Sequence, residues 1–331
     1  MSLLKRFVEV SINILGKIKV KVNEVLRSII EAGKTNSYVE TYSNKADTLH
    51  RHIKENSERD LKRAFEFNTR KAIGRMGLGR VVLAFDVTEE LYFGDKGGLN
   101  VRQIKHQNGA DEAFSYLVLN IIKPKPLPLM AIPYKQGDDL TSLIKELISY
   151  ARNLRIIIEY VLFDRGFYIG DLISYLSSIN MKYLIFVPQN KAMKRYIQQT
   201  NYLRSFNHLI GYNKYKSTWT AKTKIVIIKD KCFNEKEKKW KKFYWCFATN
   251  LQSGFSLVRK YKQRWQIETD FRVKNEARIK SKSNVPIIRY FYFLMSLILM
   301  GSWEVNRIDN PDVPFKRYLK NIEQKFSTEI T

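Results

Sequence analysis

Two apolar runs in this chain end on an aspartate. They are Val81 to Asp86 (VVLAFD) and Ile156 to Asp164 (IIIEYVLFD). A third carboxylate, Glu268, follows Tyr261 and Arg264 at the spacing i, i+3, i+7, which shares one face of a helix. An aspartate closing a buried strand places its carboxylate at the sheet edge, where ligands of open α/β sheets gather. Two carboxylates brought close repel each other, so the arrangement calls for a cation. Magnesium suits a site with few protein carboxylates and oxygens from phosphate and water, with manganese as a substitute. Two ions roughly 3.5–4 Å apart would activate an attacking oxygen and stabilise a leaving one. Asp86, Asp164 and Glu268 are therefore the candidate catalytic and metal-holding residues. Around Glu268, the Arg264 guanidinium can fork onto a phosphate. The Trp265 ring offers a platform for an extruded base, or else packs in the core. Arg272, one turn beyond Glu268, can reach the same phosphate track. Metal-dependent cutting of nucleic acid is the chemistry these residue types point to.

The charge supports that partner. The chain of 331 residues has a formal net charge of +26. Residues 81–188, which hold both aspartates, net −1. Residues 1–80 net +8, residues 189–250 net +12 and residues 251–289 net +7. Such segregation fits a polyanion better than a uniformly solubilising surface. An apolar content of 44% excludes wholesale disorder and supplies a sizeable core. Cys232 and Cys246 lack the paired spacing of a zinc site, and the absence of a disulfide framework makes the cytoplasm the expected compartment. No secretory signal is evident, since Lys5, Arg6 and Glu9 interrupt the first apolar stretch. The apolar run from Tyr290 to Trp303 is too short to span a bilayer and reads as a buried helix, so no membrane is expected. His50 and His52 lie in a polar helical stretch and read as surface residues.

The elements that must position the carboxylates follow from periodicity. Apolar spacing predicts a helix within residues 1–33, closed by Gly33, and a second helical region over 44–74. Both belong to a helical N-terminal region, 1–78, suited to DNA docking or to coiled-coil dimerisation. From residue 79 the pattern turns to strands: 81–87, 100–106, 114–123, 129–134, 156–163 and 183–187. Helices over about 139–152 and 168–178 alternate with the later strands, an α/β sandwich. Residues 189–250 read as a basic, mostly β insertion with strands at 224–228 and 243–248. A long helix is predicted over about 256–280 and a last buried helix from Pro286 to about Asn306. The catalytic region so defined spans 79–310, leaving 311–331 as a C-terminal tail.

These residues resemble the DDE transposases of bacterial and archaeal insertion sequences. The match is to the subgroup with a Tyr-x2-Arg-x3-Glu-x6-Lys signature on the glutamate helix, met by Tyr261, Arg264 and Glu268. Leu162 to Tyr168 (LFDRGFY) looks like the second-aspartate motif of that family, and Phe85 to Thr88 (FDVT), with Tyr92 to Gly94 after it, looks like the first. The signature lysine falls on Asn275, with Lys274 one position earlier and Arg272 close by. The resemblance covers about 81–305. It implies an RNase H-like mixed sheet flanked by helices and interrupted by a β-rich insertion. It also implies binding of double-stranded DNA at terminal inverted repeats and target, work as a homodimer on DNA, and magnesium-dependent strand cleavage and strand transfer. Tyr261, Arg264, Trp265, Arg272 and Lys274 would be the DNA-contacting set. An RNase H-like nuclease without strand transfer, and an inactive DNA-binding descendant of a transposase, are the alternatives.

Overall fold

The computed structural model describes residue 5 and residues 22–94, 100–214, 217–234, 238–265 and 278–328. The chain divides into two compact units. The first takes Met1–Gly79, Val87–Ile156 and Glu268–Thr331, and the second takes Arg80–Asp86 and Ile157–Ile267. The architecture is mixed α/β with helices against the strands, as the sequence predicts.

In the first unit, α1 (Val22–Thr35), α2 (Ala46–Lys54) and α3 (Glu58–Met76) are the N-terminal helices. Gly33 does not end α1. It is buried inside the helix, and the chain turns two residues beyond Thr35's predecessor, where Asn36 takes a positive φ of 52°. The predicted 44–74 helix is broken in two, because Ser57 starts α3 with a capping box: Ser57 accepts from the Asp60 amide and Asp60 accepts from that of Ser57. Gly77, at φ 59°, closes α3 in the left-handed conformation that glycine adopts without a Cβ penalty. Strand β3 (Ala110–Lys123) pairs antiparallel with β2 (Arg102–Gln107) and with β4 (Leu127–Tyr134). Helix α4 (Leu140–Asn153) is capped by Asp139, which accepts from the Ser142 amide.

Helix α8 (Pro286–Asn306) has proline in its first turn and buries Tyr290 to Ser302 without a break. It has the bounds and the burial that the sequence predicts; its 21 residues are long and apolar enough to cross a membrane, but most of it is buried within the protein. Its Tyr292 hydroxyl meets Nε2 of His50 at 3.0 Å. His50 is thus a core residue and not the surface residue that its polar neighbours predict. Only one face of α2 is buried, and His50 lies on it with Leu49 and Ile53. The stretch read as a tail carries α9 (Phe315–Thr328), which packs on α1, with Lys34 bonded to Glu323 at 2.6 Å.

In the second unit, Arg80 to Ala84 of β1 (Arg80–Tyr92) pair parallel with β5 (Ile157–Phe163), and β5 pairs parallel with β6 (Tyr183–Phe186). Where they are buried on both faces, at Val81 to Phe85, Tyr160 to Phe163 and Tyr183 to Ile185, these strands read as apolar runs. Strand β9 (Lys239–Thr249) then pairs antiparallel with β6, β8 (Ser217–Asn234) with β9, and β7 (Leu203–Lys214) with β8. The basic segment therefore extends the same sheet. The two strands read from its sequence are only the apolar stretches of β8 and β9. Strand β7 escaped notice because most of its exposed positions are polar and its burial merely alternates between half-buried and exposed. Helix α5 (Gly170–Ser178) lies on β7 and β8. A Cβ on Gly170 would come within 2.7 Å of the Tyr212 ring, so only glycine permits that approach. Lys214 bonds both Asp171 oxygens at 2.8 Å beside it. Helix α6 (Lys191–Gln198) is capped by Asn190. Helix α7 is short, Ser256–Lys262, where a helix to residue 280 was expected; residues 266–277 lie outside the described set, and 278–280 are not helical.

Candidate active site

The parallel register of β1 and β5 sets the site. Val82 lies opposite Tyr160, Leu83 opposite Val161 and Ala84 opposite Leu162. One residue on, Phe85 and Phe163 stack with centroids 5.0 Å apart and planes 11° from parallel. Continued two residues past its last pair, Ala84 and Leu162, the same register leads to Asp86 and Asp164, and both carboxylates act on the Arg264 guanidinium. Alternation along a strand turns both carboxylates to the face opposite the stacked rings. Asp86 is not at the end of its strand, since β1 runs on to Tyr92. It is where β5 stops, and the burial of β1 changes there from full to half. Asp86 thus marks the edge of the buried pairing and not the end of its own strand.

Asp164 opens a single 3-10 turn, Arg165–Phe167. Its backbone is extended and its side chain caps nothing. That leaves the carboxylate available, and its Oδ1 accepts from the Tyr261 hydroxyl at 3.2 Å. Nε of Arg264 donates to the same hydroxyl at 3.1 Å. The relay is local geometry. After Lys262 the helix tightens, with amides of Gln263 and Arg264 bonding three residues back to Lys260 and Tyr261. Residues i and i+3 eclipse in such a turn, which stacks Arg264 over Tyr261. Gln263 is tied by the Tyr160 hydroxyl at 2.9 Å, from the strand that carries Asp164. Phe186, Phe247 and Trp245 enclose the Tyr261 ring at 5.4, 5.3 and 6.1 Å.

Tyr261 and Arg264 are both buried, at 2% and 6% exposure, so the polar stripe faces inward. Burial pushes the Tyr261 hydroxyl above the ordinary tyrosine value, and the Arg264 guanidinium only partly offsets this. Burial disfavours the charged guanidinium of Arg264, but Tyr261, Asp164 and Asp86 outweigh it and raise its pKa. Arg264 is therefore a fixed positive charge within the field of both aspartates. Trp265, next in sequence, is 47% exposed, with its ring 6.5 Å from that of Trp245 and Lys262 Nζ 5.8 Å from each. It is not a core residue.

Glu268, Arg272 and Lys274 lie outside the described residues. Among the described residues no group of three His, Cys, Asp or Glu side chains could hold a metal ion. The two aspartates fit a hard cation in donor type, supplying carboxylate oxygens from half-buried positions at the ends of the paired segments of β1 and β5. Sequence reading missed Tyr160 and Gln263, which pin the turn. Their contact joins residues 103 positions apart, and no local pattern announces it.

Beyond the site, β8 and β9 carry lysine and aromatic residues in register. Lys231 lies opposite Lys242, Lys229 opposite Tyr244 and Phe233 opposite Trp240. The last two rings meet edge to face at 5.5 Å, and Trp240 is 67% exposed. Like charges directly opposed across strands destabilise a sheet unless an anion lies between them.

The likenesses to known proteins bear on this geometry. Residues 134–283 match the family model "Transposase DDE domain". That span includes Asp164 and the Tyr261–Arg264 turn but not Asp86. No curated protein matches the chain. A solved structure, the cryo-EM structure of piggyBac transposase in a synaptic complex with hairpin DNA, is similar at a TM-score of 0.61 and 13% identity, over 98% of this chain and 77% of that one. At that identity the likeness is one of fold.

Proposed function

We propose that the protein is a DDE transposase, cutting DNA at the ends of a mobile element and joining the freed end to target DNA. The observation that carries this reading is the relay from Arg264 through Tyr261 to Asp164, with Asp86 in the field of the same guanidinium, in a fold similar to that of a transposase. The subgroup is the one whose signature Tyr261, Arg264 and Glu268 meet. Asp86 and Asp164, with Glu268 as third ligand, would hold two magnesium ions, which supply Lewis-acid stabilisation of the attacking and leaving oxygens. Tyr261 fixes the Asp164 carboxylate by its hydroxyl. Arg264 sets a fixed positive charge in the field of both aspartates, where a phosphate would approach. Trp265, exposed beside Lys262, would stack a displaced base. The Lys231–Lys242 ribbon, with Phe233 and Trp240 at its end, is the surface we assign to the DNA backbone. Arg272 and Lys274 would extend it. The protein works as a homodimer on inverted-repeat ends, in the cytoplasm and on the nucleoid.

The test uses duplexes with the DNA flanking the gene. The wild-type chain with magnesium should nick them and join a pre-nicked 3′-hydroxyl end to a plasmid. Nicking without joining would leave a nuclease instead. Neither nicking nor joining would remove the reading. DNA binding should weaken steeply with salt, and changing Lys231 and Lys242 together to alanine should reduce the slope of log K against log salt by about 2. An unchanged slope would show that the ribbon does not meet phosphate.

A further inference from the structure

The first unit contains a pocket of about 280 Å³ that plays no part in the site above. It lies where Arg278 to Ser281 meet the first turns of α8. Its lining combines cations with aromatic rings. Arg278, Lys280 and Arg289 are the cations, Tyr38 and Phe93 are rings at its rim, and Glu90 is the acid.

The roles of these groups separate. Glu90 is buried, at 7% exposure, and is answered by Arg278 Nε at 3.3 Å. Arg289 is fixed from one side, since its Nε donates to the Ser283 carbonyl at 2.7 Å and its guanidinium lies 4.9 Å from the Phe114 centroid. A guanidinium has five N–H donors, so a fixed Arg289 keeps others to offer. Lys280 is anchored by its backbone, its amide donating to Ser37 at 3.1 Å and its carbonyl accepting from Val39 at 3.1 Å. No described acceptor meets its ammonium. With Glu90 answered by Arg278, the pocket keeps two positive charges in excess, on Lys280 and Arg289. At the rim, Phe93 is 69% exposed and Tyr38 40% exposed. Exposed rings beside fixed cations form a stacking platform next to a phosphate seat.

We infer that this pocket binds a phosphate-bearing nucleotide unit, with the phosphate on Lys280 and Arg289 and the base on Phe93. Glu90, whose carboxylate can accept two further bonds, faces the same space and can receive the exocyclic amine of a base. The shared chemistry is a phosphate joined to an aromatic base, whether in a strand of DNA or in a free nucleotide. The inference rests on the residues of this pocket and not on Asp86 or Asp164.

The experiment is equilibrium binding to the full chain at low salt. The probes are a fluorescent single-stranded trinucleotide, a mononucleoside monophosphate and inorganic phosphate. Lys280→Ala should weaken all three by about tenfold, the scale of one hydrogen bond to a charged group. Phe93→Ala should weaken the two base-bearing probes by on the order of tenfold and leave inorganic phosphate unchanged. Lys316→Ala, an exposed lysine on α9, controls for lost charge and should change none of them. Tighter binding of the trinucleotide than of the monophosphate would identify a strand as the occupant, and the reverse a free nucleotide. Equal behaviour of Lys280→Ala and Lys316→Ala would overturn the pocket. Loss with Lys280→Ala but not with Phe93→Ala would reduce it to a plain anion site and overturn the nucleotide. Because binding is read without metal and without cleavage, a failure of the transposase reading shows separately, in the nicking assay.

Discussion

Two tyrosine hydroxyls bridge buried polar groups, one in each unit, and they differ in what they join. Tyr261 links a guanidinium to a carboxylate, Arg264 to Asp164, beside a second aspartate. Tyr292 links to the imidazole of His50 within the packing of α2 and α8. Both rings are almost fully buried. In the Tyr261 bridge the links are charged, and the carboxylate end is half open at the edge of the parallel strands. In the Tyr292 bridge burial favours the neutral partner: it lowers the His50 pKa, although Glu40 at 3.9 Å works against it. A buried hydroxyl facing a neutral partner satisfies the core. One that fixes a charge at an opening creates a field, and only the second kind can act on a substrate.

The largest effect that would break this contrast concerns the charges themselves. Asp164→Asn or Asp86→Asn should reduce DNA nicking by at least about a thousandfold, since a held metal ion supplies several kcal/mol of charge stabilisation. DNA binding and thermal stability should stay near wild type, as measured by gel shift and by melting. Nicking that survives either change would remove the aspartates from the chemistry.

Arg264→Ala comes next. It takes the Nε donor from the Tyr261 hydroxyl and the cation from the field of both aspartates, and a lost hydrogen bond to a charged group costs about 1.5–3 kcal/mol. A lowered Tm together with lost nicking is expected. Arg264→Lys should restore part of the stability but little of the nicking, because an ammonium cannot reproduce the planar fork. Full recovery by lysine would mean that only charge matters there.

Removing each hydroxyl compares the bridges directly. Tyr261→Phe and Tyr292→Phe should each cost about 1 kcal/mol of stability in chemical denaturation. Only Tyr261→Phe should also slow nicking, by about tenfold. Equal nicking by the two variants would put both bridges in the same structural role.

The smallest effect is a pH dependence. A His50 pKa lowered by folding gives stability that is present above the ordinary value of 6.5 and lost as pH falls below it toward the folded value. Melting wild type and His50→Gln between pH 7.5 and 5.5 checks this. The wild type should lose more stability over that interval, and parallel curves would show that His50 is not held neutral.

Much of this molecule was legible in its residues. The apolar runs ending at Asp86 and Asp164 declared buried strands, because parallel strands covered on both faces need side chains that are apolar without alternation. Pro286 declared a helix start by the backbone donor it lacks. The spacing of Tyr261 and Arg264 declared a shared face, but not which way that face turned. Local periodicity records which side chains lie together and not what lies opposite them. The inward turn of that face, the core position of His50, the exposure of Trp265 and the tie from Tyr160 to Gln263 were decided by tertiary structure alone. Each depends on a partner distant in sequence, whose packing outweighs the local preferences that the chain displays.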